Sequence, residues 1–509
     1  WHAALNGRGK LLNARRPSDI ADRLAEVLQS VTAREGSAAS ASVNSTSINS
    51  ETRVFQAKFD SEYWSGSVLS WGVNADGTLD NSRHWDTQAI TPFASPATRK
   101  IITRDSSNNA VAFKAASLDA ARLAQLDADP FVAAEKLDYL RGDTSRELPA
   151  PGGIFRSRNG NLLGDIVNSS PAFVGRPSFL YRDTLEAQPY SAYRTAQAGR
   201  RGVLYVGAND GMLHAFDAET GVELFAYVPG AVFQNLHYLT SPNYSHRYYV
   251  DGTPTVGDAF VAGQWRTMLV SGLNKGGQSV FALDVTDPNT VSDGTPNLLA
   301  KWEFTDADDA DLGYSYSRPA IVRMHNGRWA AVFGNGYNNT QADGSVSATG
   351  DAVLFVVDLE TGVLIKKIDT NIGTAAAYSG GRPNGLATPA MVDINGDSIV
   401  DYAYAGDLFG NLWKFNLQDA DPANWDVAYT AGGIKQPIYV AQSATNQRQP
   451  ITVRPEVTRG PQGRGMMVVF GTGKYLEPND ELLNPTRVQS FYGVLDRNTG
   501  TIVGDLLPH

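Results

Sequence analysis

The sequence predicts an all-β protein built as a β-propeller, and three observations support this fold class. A three-part strand pattern recurs five times in the same order, insertions rich in Asn, Ser, Gly and Tyr separate the copies, and turn residues follow the strands. The period is roughly 65–85 residues, longer than the roughly 40–50 of common propeller repeats, and the insertions account for the excess. In a propeller each small twisted sheet buries its faces against its neighbours. Solenoid stacking fits less well, because solenoid repeats are shorter and more uniform.

Each repeat has three elements. The first is a proline followed by a short strand, at 171–174, 254–256, 319–322, 389–392 and 455–457. The second is an apolar strand closing on glycine, at 203–207, 268–272, 331–334, 402–406 and 467–471. The third closes on an acidic or amide residue, namely Asp217, Asp284, Asp358, Asn416 and Asp496. Three copies then turn through Thr-Gly, where aspartate can cap backbone N–H groups and glycine can take a positive φ.

The N-terminal third is less regular. Ser18 can cap a helix that runs through Val31, and residues 37–50 have the Ser/Ala/Asn-rich composition of a linker. Residues 54–60, 66–71 and 99–103 indicate strands, and residues 118–140 indicate a helical segment that breaks at Asp129-Pro130. We therefore predict a helical tail and linker at 1–52 and a propeller at 53–509 with a helical insertion at about 104–165. With one or two blades from this region, the propeller has six or seven.

Composition excludes several classes of function. The net charge of −10 argues against nucleic acid as the principal partner, and the absence of cysteine excludes disulfides, thiolate metal sites and covalent c-type haem. No apolar run reaches the roughly 18–20 residues of a membrane helix. The chain opens at Trp1, so we expect a fragment or processed product whose export signal lay upstream. The acidic cluster of Asp306, Asp308, Asp309 and Asp311 lacks a position-9 ligand and is interpreted as a solvated loop. Neither a His-Glu-x-x-His zinc motif nor a Gly-x-Ser-x-Gly nucleophile elbow is present.

Residues 393–401 carry the pattern of a calcium-binding loop. Side-chain oxygens fall at positions 1, 3, 5 and 9, from Asp393, Asn395, Asp397 and Asp401. Position 7 is Ile399, which can offer only its backbone carbonyl. Ca²⁺ takes six to eight oxygen ligands at about 2.3–2.6 Å in a flexible shell. The three carboxylates would repel one another without the ion, so the sequence predicts a Ca²⁺ site formed by these five residues.

The loop differs from an EF-hand. Position 4 is Gly396, position 6 is Ser398, and position 12 is Tyr404 instead of a bidentate glutamate. The flanking residues indicate strands, so the site is expected in a β-hairpin, like the calcium loops of integrin-α-type propellers. Without that glutamate we expect weak binding, in the range of roughly 10⁻⁴–10⁻³ M that extracellular modules use. The alternative is an Asx-rich turn that holds no metal.

The tripeptide Arg141-Gly142-Asp143 follows the predicted helix directly and allows two interpretations. In the structural one, Gly142 ends the helix and Arg141 lies at its negative end. In the functional one, the three residues are exposed and offer a guanidinium and a metal-binding carboxylate as an integrin-type contact. Glycine at helix ends is common, which favours the structural interpretation.

Several segments together resemble one family. They are Phe59-Asp60 with Trp64-Ser65-Gly66, 139–143, Leu163-Gly164-Asp165-Ile166-Val167-Asn168-Ser169-Ser170-Pro171, 206–216, 311–315 and the loop at 393–401. The chain resembles the C-terminal propeller region of the PilY/PilC-type proteins, the tip-associated adhesins and biogenesis factors of type IV pili. The matching segments extend over most of the chain from about Val54 onward, and the run from Leu163 to Pro171 is the most specific.

The resemblance implies a modified seven-bladed propeller with one calcium loop, whose ligands are those already predicted. It implies that occupancy of this loop regulates pilus extension against retraction, and hence twitching motility and surface attachment. It also implies an extracellular location at the cell surface or pilus tip, with minor pilins and host-cell surface receptors as partners. Family members usually carry an N-terminal domain similar to von Willebrand factor A, and residues 1–53 would be its tail and linker.

Two other functions stay open. A quinoprotein-like dehydrogenase propeller is suggested by residues 215–225, although Phe225 stands where that blade motif has tryptophan and the adjacent cysteines of many such enzymes are absent. An integrin-α-like ligand-binding propeller fits the hairpin equally well but not the run from Leu163 to Pro171. Fold analogy alone is a weak basis for an enzyme, so the prediction is a calcium-binding, non-enzymatic propeller.

Overall fold

The computed structural model describes residues 36–43, 53–74, 78–341, 344–477, 480 and 488–498. Regular structure in these residues is mostly strand, which confirms the all-β prediction. The helix predicted from Ser18 to Val31 and the Thr-Gly turn at 499–500 lie outside the described residues. Within them, no helix is both long enough and apolar enough to cross a membrane.

The described strands form six sheets of three or more strands, numbered here in chain order. Sheet 1 contains β1 (Gly36–Val43), β2 (Arg53–Asp60), β3 (Ser65–Val73) and β4 (Leu79–Asp86). Sheet 2 contains β5 (Ile101–Arg104), β6 (Ala110–Ala112), β7 (Ala172–Val174), β8 (Val203–Ala208), β9 (Met212–Asp217) and β10 (Glu223–Tyr227). Sheet 3 contains β11 (Thr255–Val261), β12 (Gln264–Gly272), β13 (Ser279–Asp284) and β14 (Ala300–Thr305).

The later sheets follow the same plan. Sheet 4 contains β15 (Ala320–Arg323), β16 (Trp329–Gly334), β17 (Val353–Asp358) and β18 (Leu364–Asp369). Sheet 5 contains β19 (Ala390–Val392), β20 (Tyr402–Gly406), β21 (Asn411–Asn416), β22 (Asp426–Val427) and β25 (Tyr439–Val440), and a small hairpin of β23 (Thr430–Ala431) and β24 (Ile434–Lys435) lies beside it in the chain. Sheet 6 contains β26 (Glu456–Arg459), β27 (Met466–Gly471) and β28 (Phe491–Asp496).

Most sheets are simple antiparallel meanders, as the repeat predicts. Sheet 2 is wider, with strand order β6-β5-β10-β9-β8-β7, because β5 pairs in parallel with β10 and β6 pairs with β5. Each predicted proline-led strand, glycine-closing strand and Asp- or Asn-closing strand is found in sheets 2 to 6. The seven-bladed count stays a prediction, because the part of the chain that the structure describes holds six such sheets.

The N-terminal linker prediction needs one correction. Residues 36–43 form β1, which pairs antiparallel with β2 from Gly36 opposite Asp60 to Val43 opposite Val54. Backbone N–H and C=O groups alone make a ladder, so a Ser- and Ala-rich composition does not prevent strand pairing. Sheet 1 therefore begins before the boundary predicted at residue 53.

The described helices are short and lie between strands. They are α1 (Ala120–Leu126), α2 (Pro130–Leu140), α3 (Tyr190–Ala196), α4 (Phe233–Leu236) and α5 (Pro296–Leu299). The break predicted at Asp129-Pro130 is present, since Asp129 accepts the Phe131 N–H as the N-cap of α2 and Pro130 occupies its first turn. Proline is favoured there because its missing N–H would have no helical partner.

Five hydrophobic clusters in the described residues each join two consecutive sheets. Representative pairs are Phe55 with Val206, Leu213 with Phe281, Val280 with Phe355, Val356 with Trp413, and Leu412 with Val468. Interior strands such as β8 and β16 are buried along their whole length, because both of their faces meet a neighbouring sheet. Burial of apolar surface between sheets is thus the main source of stability.

Two tryptophans each pack against, and hydrogen-bond to, the Thr-Gly turn of the following sheet, an arrangement here called the tryptophan clasp. Trp85 of β4 donates its indole N–H to Ala218 O at 3.0 Å, and a Cβ on Gly221 would lie 2.7 Å from its ring. Trp302 of β14 donates to Leu359 O at 2.9 Å, and a Cβ on Gly362 would lie 2.6 Å from two of its atoms. The recurring Thr-Gly motif therefore serves close packing between sheets as well as chain reversal.

A buried charged network ties the segment before β5 to sheet 2. Arg99 donates from Nε and Nη2 to the two carboxylate oxygens of Glu223, both at 2.8 Å. His214 Nδ1 lies 2.8 Å from Glu223 Oε1, and its Nε2 lies 3.1 Å from Asp210 Oδ2. Asp210 Oδ2 also accepts the N–H of Gly164. The network thus anchors the start of the specific run that begins at Leu163.

The strand order sorts the connections onto two faces. In antiparallel sheets, the links between first and second strands lie at one end, here called the hairpin face. The links between second and third strands, and between successive sheets, lie at the other end, called the crossover face. The loop at 393–401 joins β19 to β20 and therefore lies on the hairpin face.

A long segment also crosses the hairpin face. Residues 175–202, between β7 and β8, are here called the strap and include α3. Tyr181 of the strap stacks on Trp265 with ring centroids 5.5 Å apart. Glu186 accepts from Arg323 Nε at 2.7 Å and from Trp329 Nε1 at 2.9 Å. The strap, which joins two strands of sheet 2, thereby contacts sheets 3 and 4 through its side chains.

Candidate metal centre

The loop at 393–401 turns around its own side-chain oxygens. Asp393 Oδ1 and Oδ2 accept the N–H groups of Gly396 and Ser398, both at 2.7 Å. Asn395 Oδ1 accepts the Asp397 N–H at 2.9 Å, and Asp397 Oδ1 accepts the Ile399 N–H at 2.8 Å. Gly396 and Ser398 have φ of 75° and 71°, the left-handed conformation that sharp loops require. The chain therefore curls about the side chains at positions 1, 3 and 5.

Asp401 closes the loop from a buried position. It is 2% exposed, and its Oδ2 accepts the Ile394 N–H at 2.8 Å. Its Oδ1 lies 3.1 Å from His325 Nε2 and accepts from Gln418 Nε2 at 3.2 Å. The sequence pattern named Asp401 as a ligand but did not reveal His325 or Gln418, which orient its carboxylate from sheets 4 and 5.

Neighbouring elements hold the loop backbone. Arg459 of sheet 6 donates to Ile394 O at 2.8 Å, and Arg182 of the strap donates to Gly396 O at 3.2 Å. Val400 donates its N–H to Arg323 O at 2.9 Å, next to a parallel bridge between Ile399 and Arg323. The loop is thus a junction between sheets 4, 5 and 6 and the strap.

The donor chemistry of the loop fits a hard cation. All five predicted ligand groups are oxygens, and the Ile399 carbonyl accepts no hydrogen bond from another described residue. Within the described residues, no three acidic, His or Cys side chains gather as they would around a bound metal. Asp393, Asp397 and Asp401 instead turn toward backbone N–H groups of their own loop. The structure therefore places the five predicted ligands on one hairpin, but the three carboxylates do not point toward a common centre.

The acidic segment at 306–311 is held by a lysine and by backbone groups. Lys367 Nζ lies 2.9 Å from Asp309 Oδ1 and 2.6 Å from Asp311 Oδ2. Asp308 Oδ2 accepts the Thr305 N–H at 2.8 Å. The sequence predicted a solvated loop, but the side chains of Asp309 and Asp311 are only 14% and 13% exposed, because Lys367 and neighbouring groups pack against them.

The tripeptide at 141–143 has its arginine inside the protein. Arg141 is 2% exposed, and its guanidinium donates to the carbonyls of Phe113, Pro96 and Arg99 at 2.6–2.9 Å. Gly142 has a φ of 111° directly after the end of α2, as a helix-terminating glycine does. An integrin-type contact through Arg141, Gly142 and Asp143 would require the guanidinium to leave these three carbonyls.

We expect Arg141→Lys to lower the free energy of unfolding by about 1–3 kcal/mol, because an ammonium cannot serve three divergent carbonyls and leaves buried acceptors unpaired. Denaturant unfolding of the purified chain measures the change. Asp143→Asn is the matched control, since it keeps the acceptor for the Ser145 N–H in a half-buried position and should change stability by less than about 0.5 kcal/mol. Equal stability of the two variants would contradict the structural role of Arg141.

These features define a multi-sheet propeller with an oxygen-lined hairpin loop, and comparison with known proteins gives its family. A family model described as the PilY1 beta-propeller domain matches residues 163–507. The chain belongs to the PilY1 β-propeller family, which confirms the resemblance seen in the sequence.

The curated relatives are longer than this chain. The type IV pilus biogenesis factor PilY1 of Pseudomonas aeruginosa (strain PAK) is 38% identical over 542 residues, which cover 98% of this chain and 44% of that protein. A PilY1 homolog of Xylella fastidiosa (strain Temecula1 / ATCC 700964) is 36% identical over 569 residues, covering 99% of this chain and 37% of that protein. The chain thus spans less than half the length of these relatives.

One solved structure supports the fold directly. The crystal structure of the Pseudomonas aeruginosa PilY1 C-terminal domain matches with a TM-score of 0.53 at 38% identity, covering 65% of this chain and 66% of that one. Both curated relatives are named as biogenesis factors, and neither name describes an enzyme.

Proposed function

We propose that this chain is a calcium-binding, non-enzymatic propeller that acts in type IV pilus biogenesis. The observation that carries the proposal is the loop at 393–401, whose backbone curls around the side-chain oxygens at positions 1, 3 and 5. Ca²⁺ would be held by Asp393, Asn395, Asp397, Asp401 and the Ile399 carbonyl. The ion supplies positive charge that offsets repulsion among the three carboxylates.

We propose that a conformational change of the loop on Ca²⁺ binding would be transmitted to sheet 6 and the strap. Bringing the carboxylates together would shift the carbonyls of Ile394 and Gly396, which Arg459 and Arg182 contact. Sheet 6 and the strap would then adjust on the hairpin face. We propose that this face, in its calcium-loaded arrangement, contacts minor pilins at the pilus tip or a host-cell surface. That contact would set pilus extension against retraction, outside the cell, where Ca²⁺ is abundant enough for a weak site.

We expect Asp397→Ala to weaken Ca²⁺ binding at least tenfold while the propeller stays folded, because one of three carboxylates is lost from a loop on the protein surface. Calorimetric titration with Ca²⁺ measures the affinity, and circular dichroism reports the fold. Asp421→Ala is the control. This change removes an exposed carboxylate in the turn between β21 and β22 of sheet 5, where Asp421 accepts the Ala423 N–H. Equal affinity of wild type and Asp397→Ala would remove the assignment.

The pilus role has its own test. A bacterium that lacks its own copy of the gene is complemented with the natural full-length protein, either unchanged or carrying Asp397→Ala. Surface pili and attachment are counted with and without Ca²⁺. We expect the unchanged protein to respond to Ca²⁺ and the variant to give one fixed level. An identical response in both would separate pilus function from this loop.

A further inference from the structure

A cleft on the crossover face is not used by the proposed calcium site. It consists of two adjoining cavities of about 750 Å³ and 250 Å³, which share Lys275 and Tyr314 in their walls. Their linings come from the β5–β6 loop and α1, the connections of sheet 2 to sheet 3 and of sheet 3 to sheet 4, the β12–β13, β16–β17 and β20–β21 loops, and residues 474–477 after β27. By the strand order, these connections lie at the opposite end of the sheets from the loop at 393–401.

Aromatic rings are spread along the cleft. Tyr248 and Tyr314 line the larger cavity, and Tyr314, Tyr316 and Tyr337 line the smaller one. The rings of Tyr316 and Tyr337 lie 5.4 Å apart between centroids. Tyrosine offers a flat apolar face together with a polar hydroxyl. Such rings suit a ligand that has flat apolar faces but polar edges.

The cleft also carries two exposed cations without carboxylate partners, Lys275 and Arg247. Neither Lys275 nor Arg247 forms an ion pair with another described residue, and both are exposed. Lys275 Nζ lies 5.0 Å from the ring centre of Tyr248, and the Arg247 guanidinium lies 3.7 Å from that of Tyr238. The acidic Glu303 in the wall is already occupied by Tyr227 OH and the Gly230 N–H. The carboxylates of Asp306 and Asp308 also line the larger cavity, and each accepts a backbone N–H, from Ser345 and Thr305 respectively. Lys275 and Arg247 are therefore the charged side chains of the wall that make no hydrogen bond or ion pair to another described residue.

Amide side chains complete the lining of the larger cavity. Asn108, Gln234 and Asn235 make no side-chain hydrogen bond to another described residue. Each amide can donate and accept at the same time. Paired donors and acceptors of this kind match neighbouring hydroxyl groups on a ligand.

We propose that this cleft binds a carboxylated oligosaccharide. The half-buried rings of Tyr248, Tyr314 and Tyr316 stack on sugar faces, with Tyr337 packed behind Tyr316. The amides pair with sugar hydroxyls, and Lys275 and Arg247 pair with the carboxylates. The two adjoining cavities give room for an extended chain of several sugar units.

An extended peptide is the competing occupant, because Glu303 and Thr305 of the edge strand β14 and the side chains of Leu408 and Leu476 also line the cavities. The unpaired amides and the two exposed cations favour the sugar acid.

The test is calorimetric titration of the purified chain with hexagalacturonate, with maltohexaose as the neutral hexasaccharide and hexaglutamate as the acidic peptide. We expect hexagalacturonate to bind at least tenfold more tightly than either of the others. The double variant Lys275→Ala/Arg247→Ala should weaken its binding at least tenfold, and Tyr248→Ala should weaken it by a similar factor. Arg194→Ala is the control, because it removes an exposed cation from α3 of the strap and should leave affinity unchanged.

Three results would overturn the proposal. The first is no binding of hexagalacturonate at millimolar concentration by folded wild-type chain. The second is unchanged affinity in both the double variant and Tyr248→Ala. The third is hexaglutamate or maltohexaose binding as tightly as hexagalacturonate, which would assign the cleft to another ligand class. Circular dichroism of each variant ensures that a loss of binding reflects the cleft and not unfolding.

Discussion

Gly362→Ala is expected to lower the free energy of unfolding by about 2–5 kcal/mol. Part of the loss is backbone strain of about 1–2 kcal/mol, because Gly362 has a φ of 75°. The rest is overpacking of about 1–3 kcal/mol, because the new methyl group would lie 2.6 Å from Trp302 Cβ and Cγ. Trp302 is 4% exposed and hydrogen-bonded to Leu359, so the indole has little freedom to move away. Denaturant unfolding measures the change.

A second glycine separates the two contributions. Gly380 has a φ of 63°, but nothing lies within 4 Å of an added Cβ. Gly380→Ala should therefore cost only the strain of about 1–2 kcal/mol. The difference between the two variants measures the contact between sheets 3 and 4. If Gly380→Ala proved as destabilising as Gly362→Ala, the tryptophan clasp would contribute nothing beyond the turn.

Glu223→Gln is expected to destabilise the protein by about 3–5 kcal/mol, the cost of breaking a buried ion pair by removing one partner. Arg99 and His214 would keep their charges in the interior without the carboxylate that both contact. Glu135→Gln is the matched control, because the same change at the half-exposed pair with Arg146 should cost at most about 1 kcal/mol. Thermal or denaturant unfolding of both variants gives the comparison, and similar losses would contradict the network.

The network also gives the stability of the protein a pH dependence. Burial alone lowers the pKa of His214, but Asp210 and Glu223 outweigh it and raise the pKa to about 9. The pKa of His214 in the unfolded chain is near 6.5, so its contribution is fully present below pH 6.5 and is lost as the pH rises through about 9. Burial raises the pKa of Glu223, but Arg99 and His214 overcome this and lower it to about 2. Its contribution is present above its unfolded pKa near 4.5 and is lost as the pH falls toward 2.

The direction of each pH effect on stability can be checked by comparing wild type with Glu223→Gln. The stability difference between wild type and Glu223→Gln should be largest between about pH 4.5 and 6.5 and should shrink on both sides. A difference that stayed constant from pH 4 to 9 would show that the charges of His214 and Glu223 do not carry the effect.

Local sequence pattern predicted the repeating parts of the fold. The glycine-closing strands, the Asp-closing strands and the hairpin around residues 393–401 all rest on contacts between near neighbours in the chain. The helix break at Asp129-Pro130 is likewise a local event. Such features are encoded by periodicity and turn chemistry, which single-sequence reasoning can detect.

Distant contacts were not predictable in the same way. His325 reaches Asp401 across 76 positions of the chain, and Arg459 reaches Ile394 across 65. The burial of Arg141 depends on carbonyls at least 28 positions away. Strand β1 was missed because its Ser/Ala composition resembles a linker, whereas its pairing depends on β2. In each case the partner was set by the tertiary fold, which no local pattern records.

The strap has a consequence for how the chain is made. Glu186 leaves the ribosome 143 residues before Trp329, its hydrogen-bond partner in sheet 4. Tyr190 likewise precedes Asp258, which accepts its hydroxyl, by 68 residues. During synthesis the strap is therefore made before sheets 3 and 4, and its aromatic side chains lack their packing partners until those sheets have formed. Completion of an early part of the molecule is thus governed by a later part, and long-range closure of this kind is characteristic of slow folding.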